Sequence, residues 1–90
     1  MRIISQDRTE DIPYEIARLY ISSVHAGTIY AELAGISDAT LLGDYYTDED
    51  AKTVLADIAK GYLHSEKVYC VPSADHVAKK RLNSEEKRNP

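Results

Sequence analysis

The stretch from Thr47 to Leu63 constrains this chain more than any other. Thr47 is followed by Asp48, Glu49 and Asp50, and then by Ala51, Val54, Leu55, Ile58, Ala59 and Tyr62. The apolar residues recur at spacings of three and four, so a helix over 48–63 gathers them into one stripe. Thr47 supplies the hydroxyl that an N-cap needs, and Asp50 stands where a capping box places its acid. The three acids fill the first turn, where unsatisfied N–H groups and the helix dipole favour negative charge. An amphipathic helix must cover something. In a chain of 90 residues, which buries only roughly 60–65% of its unfolded surface, a small sheet is the natural partner, with Val54, Leu55 and Ile58 against it.

The remaining apolar runs are short and read as strands. Residues 2–14 read as a hairpin: Arg2-Ile3-Ile4-Ser5, a turn over Gln6-Asp7-Arg8-Thr9, and a return in which Pro13 demands an edge position. Residues 18–33 read as a second hairpin, with Leu19 and Ile21 on one face of the first strand and Ile29, Ala31 and Leu33 on one face of the second. Helix is the rival over 14–24, where Glu15-Ile16-Ala17-Arg18-Leu19 are adequate helix formers. Leu41–Tyr46 forms a third strand region that Gly43 weakens and marks for a bulge. Lys67–Val71, closed by Pro72, is apolar on both faces and suits a central strand. The expected architecture is α+β: a mostly antiparallel sheet of about five strands in residues 1–72, with the single helix 48–63 on one face. Residues 73–90 lack a sustained apolar period, apart from a turn around Val77 and Leu82, and read as a polar basic tail, disordered at least over 83–90.

Charge divides the same way. Residues 1–72 carry six Lys/Arg against twelve Asp/Glu, a net of −6, and residues 73–90 carry five against three, a net of +2. An acidic body repels phosphates, so direct DNA binding is not expected. No apolar run approaches the ~20 residues of a membrane span, no signal peptide opens the sequence, and the one cysteine, Cys70, has no disulfide partner in the chain. A cytoplasmic protein is the expectation.

Tests for chemistry leave little. His25, His64 and His76 are far apart and unpaired, and Asp44…Asp48-Glu49-Asp50 lacks the glycine and terminal Glu of a calcium loop, so neither metal nor cofactor is expected. Cys70, mid-strand, reads as a buried inert thiol. The four glycines are isolated and build no phosphate cradle. No catalytic constellation emerges, so the chain reads as a non-enzyme. Tyrosine stands out, with seven Tyr and no Phe or Trp. Core and interface packing explains such residues, and Tyr20, Tyr30 and Tyr69 are the candidates if a base stacks on the sheet.

The string Met1-Arg2-Ile3-Ile4-Ser5-Gln6-Asp7, followed by Asp11-Ile12-Pro13-Tyr14-Glu15, resembles a group of small uncharacterised proteins encoded in Firmicutes, often in phages and prophages. Tyr45-Tyr46-Thr47-Asp48-Glu49-Asp50-Ala51 resembles the stretch that opens that group's helix, and Val71-Pro72 its closing pair. The group usually has Gly where Arg8 stands. The resemblance implies a small accessory protein of a mobile element, of a kind that often blunts host defence by binding an effector or sponging its signal. Two readings follow. In the first, an acidic surface around Asp44, Asp48, Glu49, Asp50 and Asp57 engages a basic host defence protein, for example an RNA-guided nuclease, since opposite fields speed association. In the second, the chain sequesters a small nucleotide signal, with room for a homo-oligomer that builds the pocket between subunits.

Overall fold

A computed structural model describes residues 1–88 of the chain. Two helices and two three-stranded sheets make an α+β fold. The first hairpin joins β1 (Arg2–Ile4) to β2 (Asp11–Pro13), with Ile3 opposite Ile12. A 3-10 turn, Tyr14–Ile16, leads into β3 (Ala17–Ile21), which pairs antiparallel with β4 (Thr28–Leu33). β5 (Thr40–Asp44) adds to the other side of β4. Helix α1 (Asp48–Leu63) follows, then β6 (Val68–Cys70) and helix α2 (Ala74–Arg88). Strand order is β2-β1-β6 in one sheet and β3-β4-β5 in the other.

Local chemistry explains the elements. Asp7 Oδ1 accepts from the Thr9 N–H, the Thr9 hydroxyl and the Ser5 hydroxyl, which closes the β1–β2 turn. These bonds, that from the Thr9 hydroxyl foremost, hold the Asp7 carboxyl below its ordinary pKa. The turn also needs a left-handed residue, and Arg8 takes it at φ 67°. The backbone at Arg8 is thus one that favours Gly. Thr47 caps α1 as expected, its hydroxyl accepting from the Asp50 N–H at 3.1 Å.

The rival helix over 14–24 gives way to a 3-10 turn and a strand, because only a strand buries Leu19 and Ile21 beside the β4 apolar face. The β4–β5 register slips between Ile29 and Tyr30, so that Leu42 is the extra residue of a bulge next to Gly43.

Ile3, Ile12, Ile29, Ala31, Leu42, Tyr45, Ala51, Val54, Ile58, Val71 and Val77 form one buried cluster that joins both sheets to both helices. Val54 and Ile58 are buried as expected, whereas Leu55 is only half-buried.

Three expectations need correction. The apolar strands divide between two sheets instead of making one, and the Gln6 N–H donates to the Leu42 carbonyl where the sheets meet. β6 is an edge strand, parallel to β1, and Val68 and Cys70 on it are exposed; the expected buried thiol is on the surface. Finally, the chain after Pro72 is helical from Ala74 to Arg88, not an unstructured tail, and Val77 belongs to the core. Ser73 opens this helix by accepting from the His76 N–H. Its contact stripe of Ala74, Val77, Ala78 and Arg81 has helical spacing but little hydropathy. Residues 89 and 90 of the expected tail lie outside the described residues.

Candidate functional site

Gln6, Arg8, Asp44, Tyr45, Val71 and Pro72 meet in one place. The Gln6 amide donates to the carbonyls of Asp44 and Pro72, and its oxygen accepts from the Asp44 N–H. Arg8 reaches the carbonyls of Ser5 and Val71. The Tyr45 hydroxyl donates to the Pro72 carbonyl at 2.7 Å, and burial pushes its pKa well above the usual tyrosine value. The N-terminal string, the Tyr45 stretch and Val71-Pro72 thus tie the turn of the first hairpin to the end of β5 and the exit of β6. Their part is architectural: they satisfy backbone carbonyls at the seam between the sheets.

The five candidate acids separate into two groups. Asp44 and Asp48 clamp the turn between β3 and β4: Asp44 Oδ1 accepts from the Thr28 hydroxyl at 3.1 Å and Asp48 Oδ1 from the Gly27 N–H at 2.6 Å. Gly27 sits at φ +78°, and a Cβ there would meet the Tyr45 carbonyl oxygen at 2.2 Å, so only glycine lets the turn approach this closely. Both carboxylates remain exposed beyond these bonds.

Glu49, Asp50 and Asp57 line the other side of α1, along a cleft of about 1030 Å³ between α1 and α2 floored by Tyr69 and Cys70. Glu49 is exposed and 3.7 Å from Lys52. The Asp57 carboxylate accepts from the Tyr69 hydroxyl at 2.6 Å. Burial, and after it this bond, raises the Tyr69 pKa well above its usual value.

Asp50 is not a surface residue, which corrects the expectation that it belongs to an exposed acidic face. It is 2% exposed, pairs with Arg81 of α2 at 2.9 Å, and leaves its second oxygen without a hydrogen bond. The cleft also holds three cations, Lys60, Lys80 and Arg81, together with His76. The sequence offered no signal for this pair, because Arg81 lies in the stretch read as tail.

The tyrosines also separate. Tyr20 and Tyr30 are opposite one another on the outer face of the β3-β4-β5 sheet, ring centroids 6.0 Å apart, with Arg18 4.8 Å over the Tyr20 ring and bonded to Glu32. Tyr69 is on the other sheet, turned under α1. The structure therefore brings two of the three stacking candidates together and leaves the third apart. A second groove lies beside β3, lined by Tyr14, Glu15, Ala17, Leu19, Leu55 and Tyr62, and Tyr14 and Tyr62 pack ring to ring there. Sequence reasoning missed it because its walls come from three separate elements.

Among the described residues no group of three or more His, Cys, Asp and Glu side chains is placed to hold a metal ion. Among them, too, no helix is long and apolar enough to cross a membrane. No protein-family model matches the chain, and no match to it is found among curated proteins or solved structures.

Proposed function

We propose that this protein is a non-enzymatic accessory protein of a mobile element that occupies the basic surface of a host defence effector, such as the nucleic-acid channel of an RNA-guided nuclease. The observation that carries this reading is the placement of Asp44, Asp48 and Glu49. They project from the end of β5 and the first turn of α1; hydrogen bonds to the Gly27–Thr28 turn hold Asp44 and Asp48, Glu49 stands exposed on the other side of the helix, and the chain carries a net charge of −4. Asp44 and Asp48, fixed in this way, lose little side-chain entropy on binding, and the field of the three acids steers a basic partner.

The test uses Asp44→Asn, Asp48→Asn and Glu49→Gln together. The amides keep an oxygen for the Thr28 hydroxyl and the Gly27 N–H while removing three charges. Binding kinetics against purified guide-loaded nucleases, at two salt concentrations, should show slower association and a flatter salt dependence for the triple variant. No binding by the wild type, or identical on-rates and salt slopes, would sink the reading.

A second reading has its own support. Tyr20, Tyr30 and Arg18 form an aromatic, cation-flanked face suited to a small nucleotide. Tyr20→Ala with Tyr30→Ala should then abolish retention of nucleotides by the purified protein and leave effector binding unchanged.

A further inference from the structure

The two sheets present four edge strands, and three of them are closed to pairing by devices that proteins use against edge-to-edge association. β2 carries Pro13. β5 is bulged at Leu42 and gives the Leu42 carbonyl and the Asp44 N–H to Gln6. β6 has only three residues and runs straight into Val71-Pro72. β3 has none of these three, and its one charge, Arg18, is paired with Glu32 of β4. It is five residues long, without bulge, proline or inward-pointing charge, and it pairs on one side only.

Its free side can be read from the register. The Ser22 N–H donates to the Thr28 carbonyl, so by the alternation of an antiparallel ladder Arg18 and Tyr20 bond to β4. The backbone groups of Ala17, Leu19 and Ile21 then point away from β4. The Ala17 N–H is taken by the Tyr14 carbonyl. That leaves the Leu19 and Ile21 N–H groups and the carbonyls of Ala17, Leu19 and Ile21 directed to the edge.

We infer that β3 is the interface through which two copies of this chain pair, antiparallel about a two-fold axis at Leu19, into one six-stranded sheet. In that register each Leu19 exchanges both backbone bonds with its counterpart, and each Ile21 N–H meets the other copy's Ala17 carbonyl. The obstructed Ala17 N–H is the one donor left out. Arg18 falls opposite the other copy's Tyr20 in a non-hydrogen-bonded pair, where side chains approach most closely, so the cation–π contact already made within the chain is repeated across the axis. On the inner face, the groove of Tyr14, Glu15, Ala17, Leu19, Leu55 and Tyr62 adjoins its own copy, and Ile16, 66% exposed, directly precedes β3. An isologous contact needs this self-complementarity.

The test combines sedimentation with amide exchange. The wild type should sediment at twice its 10.1 kDa chain mass, and the Leu19 and Ile21 amides should exchange slowly. The double variant Arg18→Glu, Glu32→Arg keeps the ion pair within the chain but turns an anion toward the other copy's Tyr20. It should sediment as a folded monomer and lose protection at Leu19 and Ile21. Three results would overturn the proposal: a wild type that stays monomeric at every concentration, a dimer whose Leu19 and Ile21 amides exchange freely, or a swapped variant that dimerises as well as the wild type.

Discussion

Removing the guanidinium of Arg81 probes how α2 is held to the body. Arg81→Met keeps a long stem with good helix propensity but leaves Asp50, 2% exposed, facing an apolar side chain. If α2 stays docked, stranding one member of a buried pair costs about 3–5 kcal/mol. If α2 swings away so that water reaches Asp50, the fold loses the burial of Val77, about 1.5–3 kcal/mol, and the Tyr46–Asp75 hydrogen bond, about 0.5–1.5 kcal/mol. The cheaper route sets the observed loss, and Arg81 keeps a third of its side chain in water, so the expectation is about 2–4 kcal/mol. In a domain of this size that lowers Tm by roughly 10–25 °C. Urea unfolding followed by circular dichroism measures the loss, and a reduced denaturant slope would show that the undocked route is taken, because the native state then already exposes surface. Adding Asp50→Leu removes the stranded charge and should return stability to within about 1 kcal/mol of the wild type, the remainder being a lost helix-dipole contact. A single variant within about 0.5 kcal/mol of the wild type, or a double variant no better than the single, would refute the argument.

Three further outcomes are expected. Arg8→Gly should be more stable than Arg8→Ala by about 1–2 kcal/mol in denaturant titration, since both lose the same guanidinium bonds and only Gly relieves the left-handed backbone. Gly27→Ala should cost at least about 3 kcal/mol, from left-handed strain plus the clash with Tyr45, read as a lowered unfolding midpoint. Tyrosinate absorbance from Tyr45 and Tyr69 should appear only with unfolding, in a pH titration followed by ultraviolet absorbance and circular dichroism together. Because burial raises both of these in the folded state, their contribution to stability is intact below the ordinary tyrosine value and is lost as pH climbs above it.

The parts of the fold legible from sequence are those written in local pattern. The α1 stripe and cap, the two hairpins and the turn chemistry of Asp7 depend on neighbours within a few residues, and they emerge with nearly the expected bounds. What was hidden depends on distant pairing. Nothing near Val68–Cys70 tells that its partner is β1, and an edge position then exposes a cysteine that a central strand would bury. Likewise, α2 is recruited by Asp50 and the core around Val77, not by its own periodicity. The acids of α1 illustrate the limit for sites: Asp48, Glu49 and Asp50 are consecutive and chemically alike, yet the structure sends one to a turn, one to solvent and one into the interior.

The parallel pairing of β1 with β6 also sets a timetable. Residues 2–4 find their second neighbour only at residues 68–70, whereas β3, β4, β5 and α1 are contiguous in the chain. At about 5–20 residues per second, roughly 3–11 s separate the appearance of the first hairpin from that of β6 on the ribosome. During that interval β1 has one open side and the Ile3–Ile12 face lacks part of its cover. A three-stranded meander packed on α1 can assemble first, because its contacts are local, and closure by the last strand is the slow, non-local step. The hydrogen bonds that Gln6 and Arg8 make to Pro72 and Val71, and Tyr45 to Pro72, therefore form late, and they latch the first hairpin to the rest of the body before α2 docks its Val77 and Arg81.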